Sequence, residues 1–415
     1  MNEPQAEPKK EKTSFTKLVK SLASSYVVLA VLAFVVIDGG FKIATTINNH
    51  AWPMTPLQSA YRSWVWWNVR DFEKEKQAPD IVLLGSSLMM AAFHGGDAAL
   101  LNVPQNVAFH HKSVLLERLL KSRFNRDYNT FVFALGGEMA SDAFAITSSL
   151  LTGPKQPKVI IYGIAPRDFM DHALSSPAST EIFKFMSRMG DLDEVAAESR
   201  GSIWEMGEYY FARGSFVYNH RPDFIYIQHR LANEAARKVC GYKDMDYVKC
   251  PLMIRKQAFL ELPENNGPNE VMICPPSPAD LVFTDNSGEY RYRYKNPNMK
   301  QFASQVGYLE RLLKLSDNQG IKVILVNMPL TKDNVALMPP NFYNNYMQTV
   351  EGLAGKYKAQ FLDLNSEQLF PKKYFGDTAH LNVPGGKHFM EVLAEKIGAD
   401  DRVAATIQNL PQTGQ

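Results

Sequence analysis

Five short apolar runs, Ile81–Leu84, Phe131–Leu135, Val159–Tyr162, Val323–Val326 and Phe361–Leu364, each end at a turn-forming residue. Between them lie segments with helical periodicity: Ser113–Phe124, Ala140–Leu151, Lys300–Asn318, Phe342–Tyr357 and Gly386–Ile397. Strands that are apolar throughout must be covered on both faces, and amphipathic crossovers between them supply that cover. The pattern predicts an α/β protein built on a flavodoxin-like, doubly wound parallel sheet. In such sheets ligands bind beyond the carboxyl ends of the strands, so functional residues are sought just after each run.

The alternation breaks between Met170 and Asn298. We read residues 80–169 and 300–400 as two parts of one core, 170–299 as a large insertion, and 401–415 as a tail. An insertion of this size can cover one side of the ligand edge. It holds Trp204, Tyr209, Tyr210, Tyr218 and Tyr226. It also holds a period-two stretch, Glu289–Lys295, that reads as a strand with Tyr290, Tyr292 and Tyr294 on one face and Arg291, Arg293 and Lys295 on the other. A solvated edge is the plain account of that basic face, and a docking surface for an anionic substrate or headgroup the sharper one.

Near the start, Ser21–Ile37 carries no charge, and continuing to Phe41 gives about the 20 residues that cross a bilayer. Residues 21–42 are therefore expected to form a transmembrane anchor after a tail, 1–20, containing Lys9, Lys10, Lys12, Lys17 and Lys20. Downstream only Lys42 precedes Arg62, so the positive-inside rule places the tail in the cytoplasm and the rest outside. A cleaved signal peptide fits less well, because Asp38 sits where cleavage would fall. In the juxtamembrane segment, 43–79, stand Trp52, Trp64, Trp66 and Trp67, four of the chain's five tryptophans. A helix over Tyr61–Phe72 would lie either in the headgroup layer or against its own domain.

The 45 Lys+Arg balance 43 Asp+Glu, which removes the electrostatic reason to expect nucleic acid as a partner. Apolar residues at 45% exclude a disordered chain and permit a sizeable core. Cys240, Cys250 and Cys274 fit no metal spacing, and Cys240 with Cys250 is the nearest pair for a disulfide. There is no HExxH, Walker or dinucleotide glycine signature, so neither a metal nor a cofactor is expected.

Chemistry is suggested at two places. Ile81-Val-Leu-Leu-Gly85-Ser86-Ser87 puts a serine after a strand and at the start of a helix, where backbone N–H groups face an oxyanion. Asp377-Thr-Ala-His380 lies in a loop before the last helix. That spacing lets a carboxylate hold one ring nitrogen while the other takes a proton.

Taken together in this order, the two motifs resemble the SGNH (GDSL-like) hydrolase superfamily over residues 80–175 and 300–400. The resemblance implies Ser87 as nucleophile, with Ser86 in place of the family's aspartate, His380 as base and Asp377 as its orienter. The family's second block supplies a glycine N–H to the oxyanion hole, a match to Gly137 or less well to Gly136. Its third block expects Gly-x-Asn-Asp, whereas this chain reads Tyr162-Gly163-Ile-Ala-Pro166-Arg167-Asp168-Phe169. Without the asparagine, either Arg167 donates instead or the hole rests on the backbone N–H groups of Ser87 and Gly137 alone; the plain account of the Pro-Arg-Asp turn is structural, with Arg167 or Asp168 in an ion pair.

The layout of one anchor and one external domain is similar to the envelope branch of that superfamily, which includes proteins of alginate O-acetylation and teichoic-acid D-alanylation. It implies a bacterial plasma-membrane protein that moves an acyl group onto or off an envelope or exported polysaccharide, beside a membrane-bound O-acyltransferase partner. The alternatives are a membrane-tethered esterase or lipase acting on acylated lipid, and a catalytically silent module that binds glycan or holds an assembly together.

Overall fold

The computed structural model describes residues 25–47, 64–189, 192–240, 273–274, 282–295, 298–408 and 410. Its centre is a five-stranded, wholly parallel sheet formed by β1 (Ile81–Gly85), β2 (Thr130–Ala134), β3 (Val159–Ile164), β4 (Lys322–Asn327) and β5 (Gln360–Asp363). The spatial order is β2-β1-β3-β4-β5, one of the two common doubly wound orders. Every residue of β1, β2 and β3 is buried, as a sheet covered on both faces requires.

Helices α3 (Ser87–Leu101), α4 (Val114–Phe124) and α14 (Val383–Ala399) pack together on one side. On the other, α5 (Ala140–Leu150) packs against α11 (Met299–Gln319), which also meets α13 (Phe342–Lys356). The crossing of α3 and α14 is close enough to need glycine. A Cβ on Gly386 would sit 2.5 Å from the Ala92 carbonyl oxygen, inside any real contact distance.

The tryptophan-rich segment packs on its own domain and not in a headgroup layer. Helix α2 (Trp64–Lys74) lies along the edge strand β2, with Val65, Trp66, Trp67, Val69 and Phe72 buried and Phe72 against Phe131 and Phe133. Asn68 Nδ2 donates to the Val132 carbonyl at 3.0 Å, closing part of the exposed edge of the sheet. Trp52 lies outside the described residues.

Between β3 and α11 the chain forms α6 (Glu181–Met189), α7 (Ile203–Gly214), α8 (Phe216–Asn219), α9 (Arg221–Cys240) and α10 (Ser287–Arg293). The period-two stretch is therefore a helix and not a strand. Both periods fit it, because Tyr290 and Tyr294 share a strand face and also stand four apart on a helix. Those two are buried while Tyr292 is exposed, and Arg293 pairs with Glu289 one turn earlier, so helical spacing prevails. Cys274 lies in a two-residue ladder opposite Gln105, and Cys250 lies outside the described residues, which leaves its proposed pairing with Cys240 untouched.

Helix α1 (Tyr26–Ile47) includes one stretch, Tyr26–Ala44, long and apolar enough to cross a membrane. The short helices α12 (Lys332–Val335) and α15 (Asp401–Gln408) complete the described chain.

Candidate active site

Strands β1, β2 and β3 stop level with one another, Gly85 opposite both Ala134 and Gly163. The turns that follow, with Ser86-Ser87, Leu135–Glu138 and Ala165–Asp168, meet at this carboxyl edge, and the loop before α14 closes on it.

Ser87 is the first residue of α3, so its backbone N–H belongs to the turn that has no intrahelical acceptor. Its Oγ lies 2.8 Å from His380 Nε2. The other ring nitrogen, Nδ1, is 2.7 Å from Asp377 Oδ2, while Asp377 Oδ1 accepts the N–H groups of Ala379 at 2.8 Å and His380 at 2.7 Å. Burial pushes the Asp377 carboxyl up, but the hydrogen bond and charge of His380 and those two N–H groups outweigh it, leaving the pKa below its ordinary value. An ionised Asp377 fixes the proton on Nδ1 and leaves Nε2 as the acceptor facing the serine hydroxyl.

Gly137 adopts φ +85°, a conformation that favours glycine, and turns its Cα toward Arg167: a Cβ placed there would lie 3.8 Å from Arg167 Nη2. Gly136 is exposed, with nothing within 4 Å of its own Cβ position. Arg167 is 9% exposed; its Nη2 donates to Asp171 Oδ2 at 3.0 Å. Nη1 stands 3.7 Å from Asp168 Oδ1 and has no hydrogen-bond partner among the described residues. The structure thus brings Ser87, His380 and Asp377 into one chain of contacts, with Arg167 beside Gly137.

Beside Asp168, which the sequence placed in the turn after β3, two further carboxyls of the site were not singled out in the sequence, Glu138 and Asp142. Glu138, Asp142 and Asp168 are fully buried beneath the turns. Asp142 accepts from Thr180 Oγ1 at 2.6 Å and from the Met139 N–H at 2.9 Å; Asp168 accepts from the Ala165 N–H at 2.9 Å and from the Ser86 hydroxyl. Burial drives the pKa of Asp142 up to about 7 and that of Asp168 to about 6. Glu138 rises well above its usual value through burial and then through the charges of Asp142 and Asp168. The Ser86 contact gives that residue a place: its hydroxyl ties the turn to Asp168.

The last part of the insertion braces both loops. Asn286 Oδ1 accepts the Thr378 N–H at 3.0 Å and the Thr378 hydroxyl at 2.5 Å, and Gly376 O accepts the Thr284 N–H at 2.8 Å. Arg293 on α10 donates to Asp171 Oδ2, the oxygen that also receives Arg167. The only hint of these braces in the sequence is side-chain type.

A protein-family model matches residues 291–401, well under half of the chain and including the Asp377–His380 loop. No curated protein matches the sequence. Among solved structures, a Bacteroides fragilis protein provisionally described as an acylhydrolase is similar at 10% identity and a TM-score of 0.33, covering 80% of this chain and 97% of its own. A likeness that distant carries no functional argument.

Proposed function

We propose that the chain is a membrane-anchored, SGNH-type serine acyl-transfer enzyme that adds acyl groups to, or removes them from, an envelope or exported polysaccharide. The observation that carries this reading is the contact chain from Ser87 Oγ through the His380 ring to Asp377, at 2.8 and 2.7 Å. Nucleophile, base and orienter already stand within hydrogen-bond reach of one another. The strand order, flavodoxin-like in type, supports the family reading, and the position of Ser87 after β1 agrees with it.

In the proposed reaction Ser87 Oγ attacks the acyl carbonyl carbon and its proton passes to His380 Nε2, with Asp377 stabilising the imidazolium. The oxyanion is received by the N–H groups of Ser87 and Gly137 and by Arg167, whose Nη1 has hydrogen-bonding capacity left over. Collapse breaks the bond to the leaving oxygen, which takes the proton from His380 and leaves an acyl-serine. An acceptor hydroxyl then gives its proton to His380 and attacks the acyl carbon; the bond to Ser87 Oγ breaks, and His380 returns the proton to that oxygen. A sugar hydroxyl as acceptor makes the enzyme a transferase, and water makes it an esterase.

The five lysines of the tail, set against the single Lys42 beyond the apolar stretch, support an extracytoplasmic site tethered by α1 in a bacterial plasma membrane. A membrane-bound O-acyltransferase beside it would supply the acyl group.

A fluorophosphonate probe applied to the folded chain tests the reading. Wild type is expected to be labelled and Ser87→Ala not. Equal labelling of the two, or none of wild type, removes the enzyme assignment. Release of free acid from simple acyl esters without any glycan would favour the esterase alternative.

A further inference from the structure

Helix α7 has two opposite faces. Ile203, Trp204, Gly207, Tyr210 and Phe211 recur at helical spacing on one of them and are exposed, Ile203 at 82% and Trp204 at 85%. Glu205, Glu208, Tyr209, Ala212 and Arg213 form the other and line a cavity of about 790 Å³. An exposed apolar stripe of this kind on an extracytoplasmic helix calls for an occupant.

The anchor identifies it. Phe34 of α1 stacks on Phe211 of α7 with ring centroids 6.1 Å apart, and Phe41 stacks on Phe216 at 5.4 Å. Asp38 ends the uncharged stretch of α1, and its Oδ1 accepts the Ser215 hydroxyl and the Val217 N–H, each at 2.8 Å. With the hydrocarbon boundary taken at Asp38, the first charge of α1, Phe34, four residues earlier, lies about 6 Å deeper. The C-terminal end of the apolar face, at Phe211, meets α1 at that depth, and the face runs from there along α7 to Ile203 and Trp204. Helices lying in a membrane surface bury their apolar side by about 5–10 Å.

Resting on the reading of α1 as a membrane anchor, we propose that α7 lies in the headgroup–acyl boundary of the leaflet on the domain's side. Its Ile203, Trp204, Tyr210 and Phe211 face acyl chains, and the cavity opens away from the bilayer. The insertion then fixes the height and tilt of the Ser87 edge above the membrane, and α1 is more than a flexible tether.

The test uses the full-length chain in phosphatidylcholine nanodiscs made with or without lipids brominated near the glycerol end of their chains. Subtracting the emission of Trp204→Phe from that of wild type isolates Trp204. A second variant carrying Leu32→Trp together with Trp204→Phe reports the anchor itself. Loss of most of the Trp204 emission in brominated discs is expected, with a blue shift relative to the water-exposed indole that the structure alone would give. If Leu32→Trp is quenched and Trp204 is not, α7 stays out of the bilayer and the proposal fails while the anchor stands. If neither is quenched, the anchor reading fails and takes the proposal with it.

Discussion

Asn286 accepts both the backbone N–H and the hydroxyl of Thr378, the residue that follows Asp377. A side chain from the insertion thereby sets the path of the loop that carries His380. Thr378 is buried and also meets Asn334 and Thr331, so the loop is held from both sides.

Asn286→Ala should leave the fold intact and loosen that loop. Displacements of about 1 Å at a reacting group can cost up to about 10²-fold in rate. We expect kcat on a chromogenic acyl ester to fall by about tenfold or more with little change in KM. A rise confined to KM would show that Asn286 acts on substrate binding and not on the loop.

Arg167, beside Gly137 and paired with Asp171, is the side chain proposed above as an oxyanion donor. Arg167→Met should reduce kcat/KM by about 10²–10³, the usual effect of losing one such donor. Arg293→Met removes the second arginine from Asp171 and should cost less, since Arg167 keeps its own bond to that carboxylate. Steady-state rates of the two variants compare the roles directly, and equal losses would argue that Arg167 is only a structural partner of Asp171.

Asp377→Asn keeps size and shape but reverses what Nδ1 requires, since an amide nitrogen can face the ring and favour the wrong tautomer. A loss of about 10⁴ in kcat is expected, as in other Ser-His-Asp sites. Fluorophosphonate labelling should slow in parallel. Unchanged labelling would show that His380 does not depend on this carboxylate.

The core was legible because its signals are local. Val323–Val326 reads as a strand at any distance from its neighbours, and Ser87 and His380 sit in short motifs whose order along the chain is itself informative. The insertion was not legible, because its contacts are long-range: nothing near Asn286 announces Thr378, and nothing near Arg293 announces Asp171. The tyrosines at 290 and 294 satisfied two periodicities at once, and burial together with the Arg293–Glu289 pair decided between them. Trp66 and Trp67 were ambiguous for a similar reason, since an indole suits a headgroup layer and a core equally well. Glu138 follows a glycine pair, and nothing in that local sequence announces the burial that the fold imposes on it.

The buried carboxyls predict how stability responds to pH. Asp142 and Asp168 titrate near 7 and 6 in the folded chain against an ordinary 3.8, so the native state holds protons that the unfolded chain releases. Their contribution therefore weakens as pH rises from about 4 to about 7. His94, which burial holds neutral with a pKa near 3, acts in the opposite sense below about pH 6.5, so wild type alone gives a mixed slope. Glu138→Gln separates the effects: it copies the neutral carboxyl, removes one member of the cluster's mutual repulsion and leaves His94 alone. The melting temperature of Glu138→Gln should approach that of wild type at pH 5 and exceed it increasingly toward pH 8. A difference between the two that stays constant across that range in thermal unfolding would show that Glu138 carries no proton in the folded protein.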